Sequence, residues 1–308
     1  MYTHFLELIR KTSTQLPVDV LASIKRSRNT ELAKSPARAA LDDVLANCQL
    51  ANETSRPICQ DTGTNIWYVH SPANVSEASI HKAILAATRK ATKLTYLRPN
   101  SVDPITGKNS GDNTGAGAPV IHFKQWSRKS IAADLLLKGG GCENVSIQYA
   151  LPHTALSAGR DLDGIYKVVV DAVFQAQGRG CGPGILGVGI GGDRASGMIE
   201  AKEQLFRLLN DKNPDPTLAK LERKLLADCN KLEIGPMGFG GRTTALGVKI
   251  GVRHRLPASF FVSVAYMCWA CRRGGVVISN DKASFSQVTQ KARKYILPTR
   301  IKAQKKGR

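Results

Sequence analysis

Seven cysteines are spread through this chain of 308 residues, and four of them stand at or beside polar or glycine-rich turns. Cys59 lies in Arg56-Pro57-Ile58-Cys59-Gln60-Asp61-Thr62-Gly63, Cys142 follows Gly139-Gly140-Gly141, Cys181 lies in Gly180-Cys181-Gly182-Pro183-Gly184, and Cys268 ends a strand-like run. Glycine lets the backbone approach a bound group and turn N–H groups toward it. A thiolate beside such N–H groups is stabilised as an anion, which is what a metal ligand needs. The compact cysteine spacing of ferredoxins is missing, so spacing alone leaves a metal, a cluster or plain buried thiols all open.

Other groups compete for attention. Cys268-Trp269-Ala270-Cys271 has the C-x-x-C form of a redox pair, but a single copy carries little weight. Gly187-Val188-Gly189-Ile190-Gly191-Gly192 matches the glycine spacing of a dinucleotide-binding turn. The acidic residues that should follow it, Asp211 and Asp215, fall in a loop, which favours a simpler anion site at the helix start. Asp61, Asp112, His122, His153, Asp193 and His254 are the acid–base candidates, with Asp61 and Asp193 set apart by standing in such turns.

These groups need a framework. Residues 1–50 read as helices, with a start at Ser35-Pro36. Helices are also expected over 76–97, 163–177, roughly 195–210 and 215–231, and strands at Asn65 to Val69, Val120 to Phe123, Ile131 to Leu137, Ile185 to Ile190, Ala245 to Val252 and Ser259 to Met267. Residues 98–118 form a long loop rich in Pro, Asn, Asp and Gly, and such loops inside a domain are usually functional. The regular alternation of a doubly wound sheet is absent, so the fold class reads as α+β, mixed helices and strands around the cysteine turns. Residues 1–280 form one domain and residues 281–308 a basic tail.

The net charge is +20, and no acidic residue follows Asp281. This suits an anionic substrate or partner. Aromatic residues in the tail are limited to Phe285 and Tyr295, which argues against stacking on nucleic acid bases. No apolar run reaches the roughly 18 residues of a membrane span, and the first residues lack a signal-peptide pattern. An odd cysteine count argues against a disulfide framework. The expected compartment is the cytoplasm.

Taken in order, Ile58-Cys59-Gln60-Asp61-Thr62-Gly63, Asn100-Ser101-Val102-Asp103-Pro104, Gly111-Asp112-Asn113-Thr114-Gly115, Gly139-Gly140-Gly141-Cys142-Glu143-Asn144, Gly189-Ile190-Gly191-Gly192-Asp193 and Tyr266-Met267-Cys268-Trp269-Ala270 resemble class I fumarate hydratase and the α subunit of L-tartrate dehydratase, over about residues 5–278. The resemblance implies an iron–sulfur hydro-lyase acting on a small dicarboxylate, with fumarate and malate as the first reading and tartrate as the alternative. It implies a [4Fe–4S] cluster held by Cys59, Cys181 and Cys268, its remaining iron acting as a Lewis acid. Gln60, Asp61, Arg98 and Gly140 match substrate-binding positions, and Asp61 is the catalytic candidate. Arg98 suits a carboxylate because a guanidinium binds it in two-pronged fashion.

Two departures accompany the resemblance. Leu256 stands before Pro257-Ala258-Ser259 where part of the family has a histidine, with His254 two residues earlier. Cys142 replaces a common serine and reads as non-ligating. The resemblance further implies a partner: a β subunit that carries the catalytic base, within a homo- or hetero-oligomer. A catalytically idle cluster protein or nucleic-acid binder is the reading from another class.

Overall fold

The computed structural model describes residues 1–286. Three helices open the chain: α1 (Tyr2–Thr14), α2 (Val18–Thr30) and α3 (Pro36–Thr54). The start of α3 follows from local chemistry, since the Ser35 side chain accepts a hydrogen bond from the Arg38 N–H at 3.2 Å and Pro36 takes the first helical position.

The strands form two sheets. The first has the order β2 (Val120–Trp126), β1 (Thr64–Pro72), β3 (Ile131–Lys138), β8 (Arg272–Ser279), β9 (Lys282–Ser286). Its β1 and β2 are parallel, joined through α4 (Glu77–Lys93), and its other pairs are antiparallel. The second has the order β4 (Ile147–Ala150), β7 (Phe261–Met267), β5 (Gly184–Gly191), β6 (Ala245–Arg253), with only β5 and β6 parallel. Helices α5 (Gly140–Asn144), α6 (Leu162–Ala176), α7 (Arg194–Gln204) and α8 (Pro216–Asn230) complete the fold. Mixed helices and sheets agree with the α+β expectation.

Alternate residues of a strand face opposite sides, and here both sides are covered. Trp67, Val69, Leu135 and Leu137 join Phe5, Ile9 and Ile84 in one core beneath α1 and α4. Ile66, Tyr68 and Leu136 join Val168, Val188, Ile250 and Met267 in a second, larger core between the sheets and the remaining helices. This is why β3 reads as an apolar run interrupted only by Asp134 before it ends at Lys138. No helix among the described residues is long and apolar enough to cross a membrane.

Three strands were not expected: β4, β8 and β9. The last of these falls at the start of the segment expected as a basic tail. Residues 282–286 pair with β8, Phe285 packs against the first core, and the Lys11 ammonium lies 5.1 Å from its ring. The remainder of the tail lies outside the described residues. Helix α7 ends at Gln204, short of the expected 210, and residues 205–210 continue as turns.

Candidate active site

The Cys59–Gly63 turn is held from both sides. The Ile58 N–H donates to the Ser13 carbonyl at 3.0 Å and Asn47 Nδ2 donates to the Ile58 carbonyl at 2.8 Å, which ties the entry to α1 and α3. Asp61 Oδ1 accepts from the Gly63 N–H at 3.0 Å, and Oδ2 accepts from the Gly140 N–H at 2.7 Å. Arg272 Nη1 donates to the Asp61 backbone carbonyl at 2.7 Å. Gly63 has a φ of +79°, and a Cβ there would lie 2.6 Å from the Lys138 carbonyl, so a side chain is excluded twice over. The Cys-Gln-Asp-Thr-Gly and Gly-Gly-Gly-Cys segments are therefore one interlocked unit.

Thr62 joins the long loop to this unit. Its Oγ1 accepts from the Arg98 N–H at 3.1 Å and from Asn100 Nδ2 at 3.0 Å. Asn113 Oδ1 accepts from the Asn100 N–H at 2.7 Å, and Asn113 Nδ2 donates to the Arg98 carbonyl at 2.9 Å. Arg98 is thus fixed by its backbone while its side chain is exposed, as is Gln60. Behind Asp61 lies a cavity of about 180 Å³ lined by Asp61, Gly63, Thr64, Asn65, Asn100, Ser101, Asn113, Ala118, Pro119 and Gly140. Asn65 Oδ1 is buried there without a hydrogen-bond partner.

The cysteine turns converge on the same place. The Trp269 N–H donates to the Cys181 carbonyl at 3.1 Å, which links the turn after β7 to the left-handed Cys181. Gly180 and Gly184 lie against the Tyr266 ring, where a Cβ on either would approach within 2.4 Å. Burial pushes the Cys181 thiol up, and the neighbouring Cys59, Cys142 and Asp61 push it further, which sets these groups within electrostatic reach of one another. Cys142 Sγ donates to the Gly139 carbonyl at 3.1 Å, and the Lys138 ammonium lies 3.9 Å from the same sulfur. The neighbouring Cys268 and that ammonium hold Cys142 below an ordinary thiol, while Cys142 and burial hold Cys268 above one.

The other cysteines stand apart. Burial pushes Cys48 up to about 11 and Cys229 up to about 12. Cys271 accepts from Arg273 Nη1 at 3.3 Å, so the two cysteines of the C-x-x-C have different surroundings.

Among the described residues, no three His, Cys, Asp or Glu side chains group as ligands of a single metal ion. A cluster spreads its ligands over several irons and so makes a different demand: free thiols around an electropositive, donor-rich space. All seven cysteines are free. Arg272 is 1% exposed, has no ion pair among the described residues, and its Nε lacks a hydrogen-bond partner. A buried guanidinium without a carboxylate partner suits an anionic group, and Cys59, Cys181 and Cys268 are the thiols that would hold one there.

Several acid–base candidates are engaged elsewhere. Asp193 caps α7 and accepts from the Ser196 N–H at 2.6 Å. Asp112 pairs with Arg89 at 3.2 Å and accepts from the Thr114 N–H at 2.9 Å. His122 stacks on Tyr68 with centroids 4.8 Å apart, and His153 meets the Tyr149 ring edge-on at 5.6 Å. His254 is exposed and Leu256 is 71% exposed. The glycine motif of β5 serves packing: a Cβ on Gly187 would lie 2.0 Å from the Ala201 carbonyl, and one on Gly189 would lie 2.2 Å from that of Gly197.

Sequence reasoning missed Lys138, Arg272, Asn65 and Thr62. Lys138 is fully buried at the end of β3, where its Nζ bonds the Cys142 carbonyl and Ser146 Oγ, both at 3.1 Å, and pairs with Glu143 at 2.6 Å. A lysine closing an apolar strand, and a pair of arginines just past Cys271, were the available signals.

Similar proteins are known. The chain is 51% identical over 281 residues to a protein of Geobacillus stearothermophilus provisionally named fumarate hydratase class I, covering 90% of this chain and 55% of the relative. It is 34% identical over 276 residues to a Methanocaldococcus jannaschii protein provisionally named L(+)-tartrate dehydratase subunit alpha, covering 87% of this chain and 94% of that one. It is 29% identical over 273 residues to L(+)-tartrate dehydratase subunit alpha of Escherichia coli strain K12, covering 87% of this chain and 88% of that one. The chain thus spans about half the length of the first of these relatives and most of the other two. A family profile described as Fumarate hydratase (Fumerase) matches residues 3–277, and the chain belongs to that family.

Proposed function

We propose that this chain is the cluster-bearing α part of an iron–sulfur hydro-lyase that interconverts fumarate and malate. The observation carrying this reading is the interlock of the Asp61 turn, the Gly140 turn and the cysteine turns in one place. A [4Fe–4S] cluster held by Cys59, Cys181 and Cys268 would supply a Lewis acid toward the substrate hydroxyl and a carboxylate. The chain's own groups do the rest. Arg98, exposed on a backbone fixed through Thr62, grips a substrate carboxylate. Asp61 is held by two backbone N–H groups in a fixed direction and keeps lone pairs free to accept a proton or a hydroxyl hydrogen. Gln60 offers its exposed amide beside it.

We assign the base for the carbon-bound proton to a β region, separate or fused, with the working site at its contact with this chain and Asp61 serving the hydroxyl side. Free cysteines throughout suit a reducing compartment such as the cytoplasm. The tartrate reading has one observation in its favour. The unpartnered Asn65 Oδ1 in the cavity beside Asp61 would accept from a second substrate hydroxyl.

The test is anaerobic purification followed by iron and sulfide analysis and assay with malate and with tartrate, without and with a cognate β region. The wild-type chain should hold about four irons. Cys59→Ala, Cys181→Ala and Cys268→Ala should each lose them, and Cys48→Ala and Cys229→Ala should not. Without the β region, turnover should fall by at least the roughly 10²–10⁴-fold typical of a missing general base. A cluster-free wild type, or full turnover by the isolated chain, defeats the corresponding part of the proposal.

A further inference from the structure

Two arginines stand side by side at the start of β8. Arg273 is buried and balanced: its Nη2 lies 2.5 Å from Asp19 Oδ2. Arg272 is buried equally deeply and has no such partner. Five cationic side chains are buried among the described residues: Lys138, Arg207, Lys249, Arg272 and Arg273. Four of them have carboxylate partners: Lys138 has Glu143, Arg207 has Asp211 and Glu222, Lys249 has Asp211, and Arg273 has Asp19. Arg272 alone has none. Asp61 turns its carboxylate to the N–H groups of Gly63 and Gly140 and gives Arg272 only its backbone carbonyl.

A buried charge without a counter-charge is strongly unfavourable, and a fold that leaves one open gains when an anion arrives. What lies around Arg272 is the cysteine centre. Its hydrogen bond fixes the turn that carries Cys59, and its field acts on Cys142 and Cys268. Resting on the cluster reading above, we propose that Arg272 is the positioning residue that compensates the negative charge of the Cys59, Cys181 and Cys268 thiolates once they hold the cluster. Without the cluster the same side chain is a burden on the fold. With it, the guanidinium stabilises the thiolates and keeps the Asp61 turn in register with them.

The experiment compares full-length wild type, Arg272→Gln and Arg272→Lys after anaerobic reconstitution with iron and sulfide. Three quantities are read: the rate of cluster loss to a chelator, the cluster's midpoint potential, and the melting temperature of each empty chain. Arg272→Gln should lose its cluster roughly 10–100-fold faster, as removal of an outer partner of a metal site does. Its midpoint potential should fall, because a missing positive charge disfavours the more negative reduced state. Its empty form should melt no lower than empty wild type, and Arg272→Lys should recover most of the retention and potential. Equal retention and potential in wild type and Arg272→Gln overturns the inference and leaves the cluster reading standing. An empty Arg272→Gln chain that melts lower or fails to fold also overturns it, since the side chain would then serve the fold itself. A wild-type chain that takes up no iron removes both.

Discussion

Two buried ionic clusters in this molecule follow opposite rules. Beside α7, α8 and β6, Arg207 bonds Glu222 at 2.6 Å and Asp211 at 2.9 Å, and Lys249 bonds Asp211 at 2.8 Å. Glu222 Oε1 also accepts from the Ile250 N–H and from Asn213 Nδ2, both at 2.8 Å. Two cations meet two carboxylates and the remaining lone pairs are taken. At the cysteine end, Lys138 and Glu143 are paired, but Arg272 has no carboxylate partner among the described residues, and Cys59, Cys181 and Cys268 are free. The first cluster is complete within the chain. The second leaves one buried cation without a carboxylate among the described residues. Arg272 is informative because each of the other four buried cations among the described residues has a carboxylate partner.

The sharpest way to break the comparison is to unbalance the closed cluster. Glu222→Ala should cost about 3–5 kcal/mol of unfolding free energy in a denaturant titration, because it takes one of two carboxylates from the buried Arg207 and removes the acceptor of the Ile250 N–H and Asn213 Nδ2. The empty Arg272→Gln chain should show no such loss, and similar losses for both would erase the distinction. Gly187→Ala probes the same closed end through packing. The new methyl would strike the Ala201 carbonyl and lever α7 off β5, for about 1–3 kcal/mol. An unchanged melting temperature would mean that the helix can shift freely.

Acid should separate the clusters with the smallest effect. Burial alone would raise the Asp211 carboxyl, but its bonds to Arg207 and Lys249 outweigh this and hold it below the ordinary carboxylate range. A lowered folded-state pKa contributes stability above the unfolded value of about 4, and that stability is lost as pH falls through the folded value. Wild type should therefore lose stability below about pH 4, and Asp211→Asn should show a shallower loss over the same range. Parallel curves would remove Asp211 from the account.

The sequence carried what is local and lost what depends on distant pairing. Ser35-Pro36 announced a helix start because cap and proline act within one turn. The Asp61 and cysteine turns were readable because glycine and cysteine keep their chemistry in any context. The glycine run of β5 looked like a nucleotide turn because a helix packed tightly on a strand needs the same small residues. Strand β8 was missed because Arg272-Arg273-Gly274-Gly275 has neither alternation nor an apolar run. Its arginines are buried by partners far along the chain, Asp19 and the Asp61 turn, and Gly274 makes room for Thr12. Asn65 and Lys138 were missed for the same reason, since an unmet or a satisfied polar atom is a property of the assembled core. Cys142 was set aside as non-ligating, and its closeness to Cys268 depends on residues far apart in the chain.

Strand β9 has a geometric consequence of its own. It runs antiparallel to β8, with Ser286 opposite Gly275. The cysteine end of the sheet is where β1 begins, β3 stops and β8 begins, so the chain at Ser286 is travelling back toward it. Gly275 lies three residues from Arg272, about 10 Å along the strand at roughly 3.3 Å per residue. The pairing ties the last described residue to the same strand that carries Arg272 and Arg273.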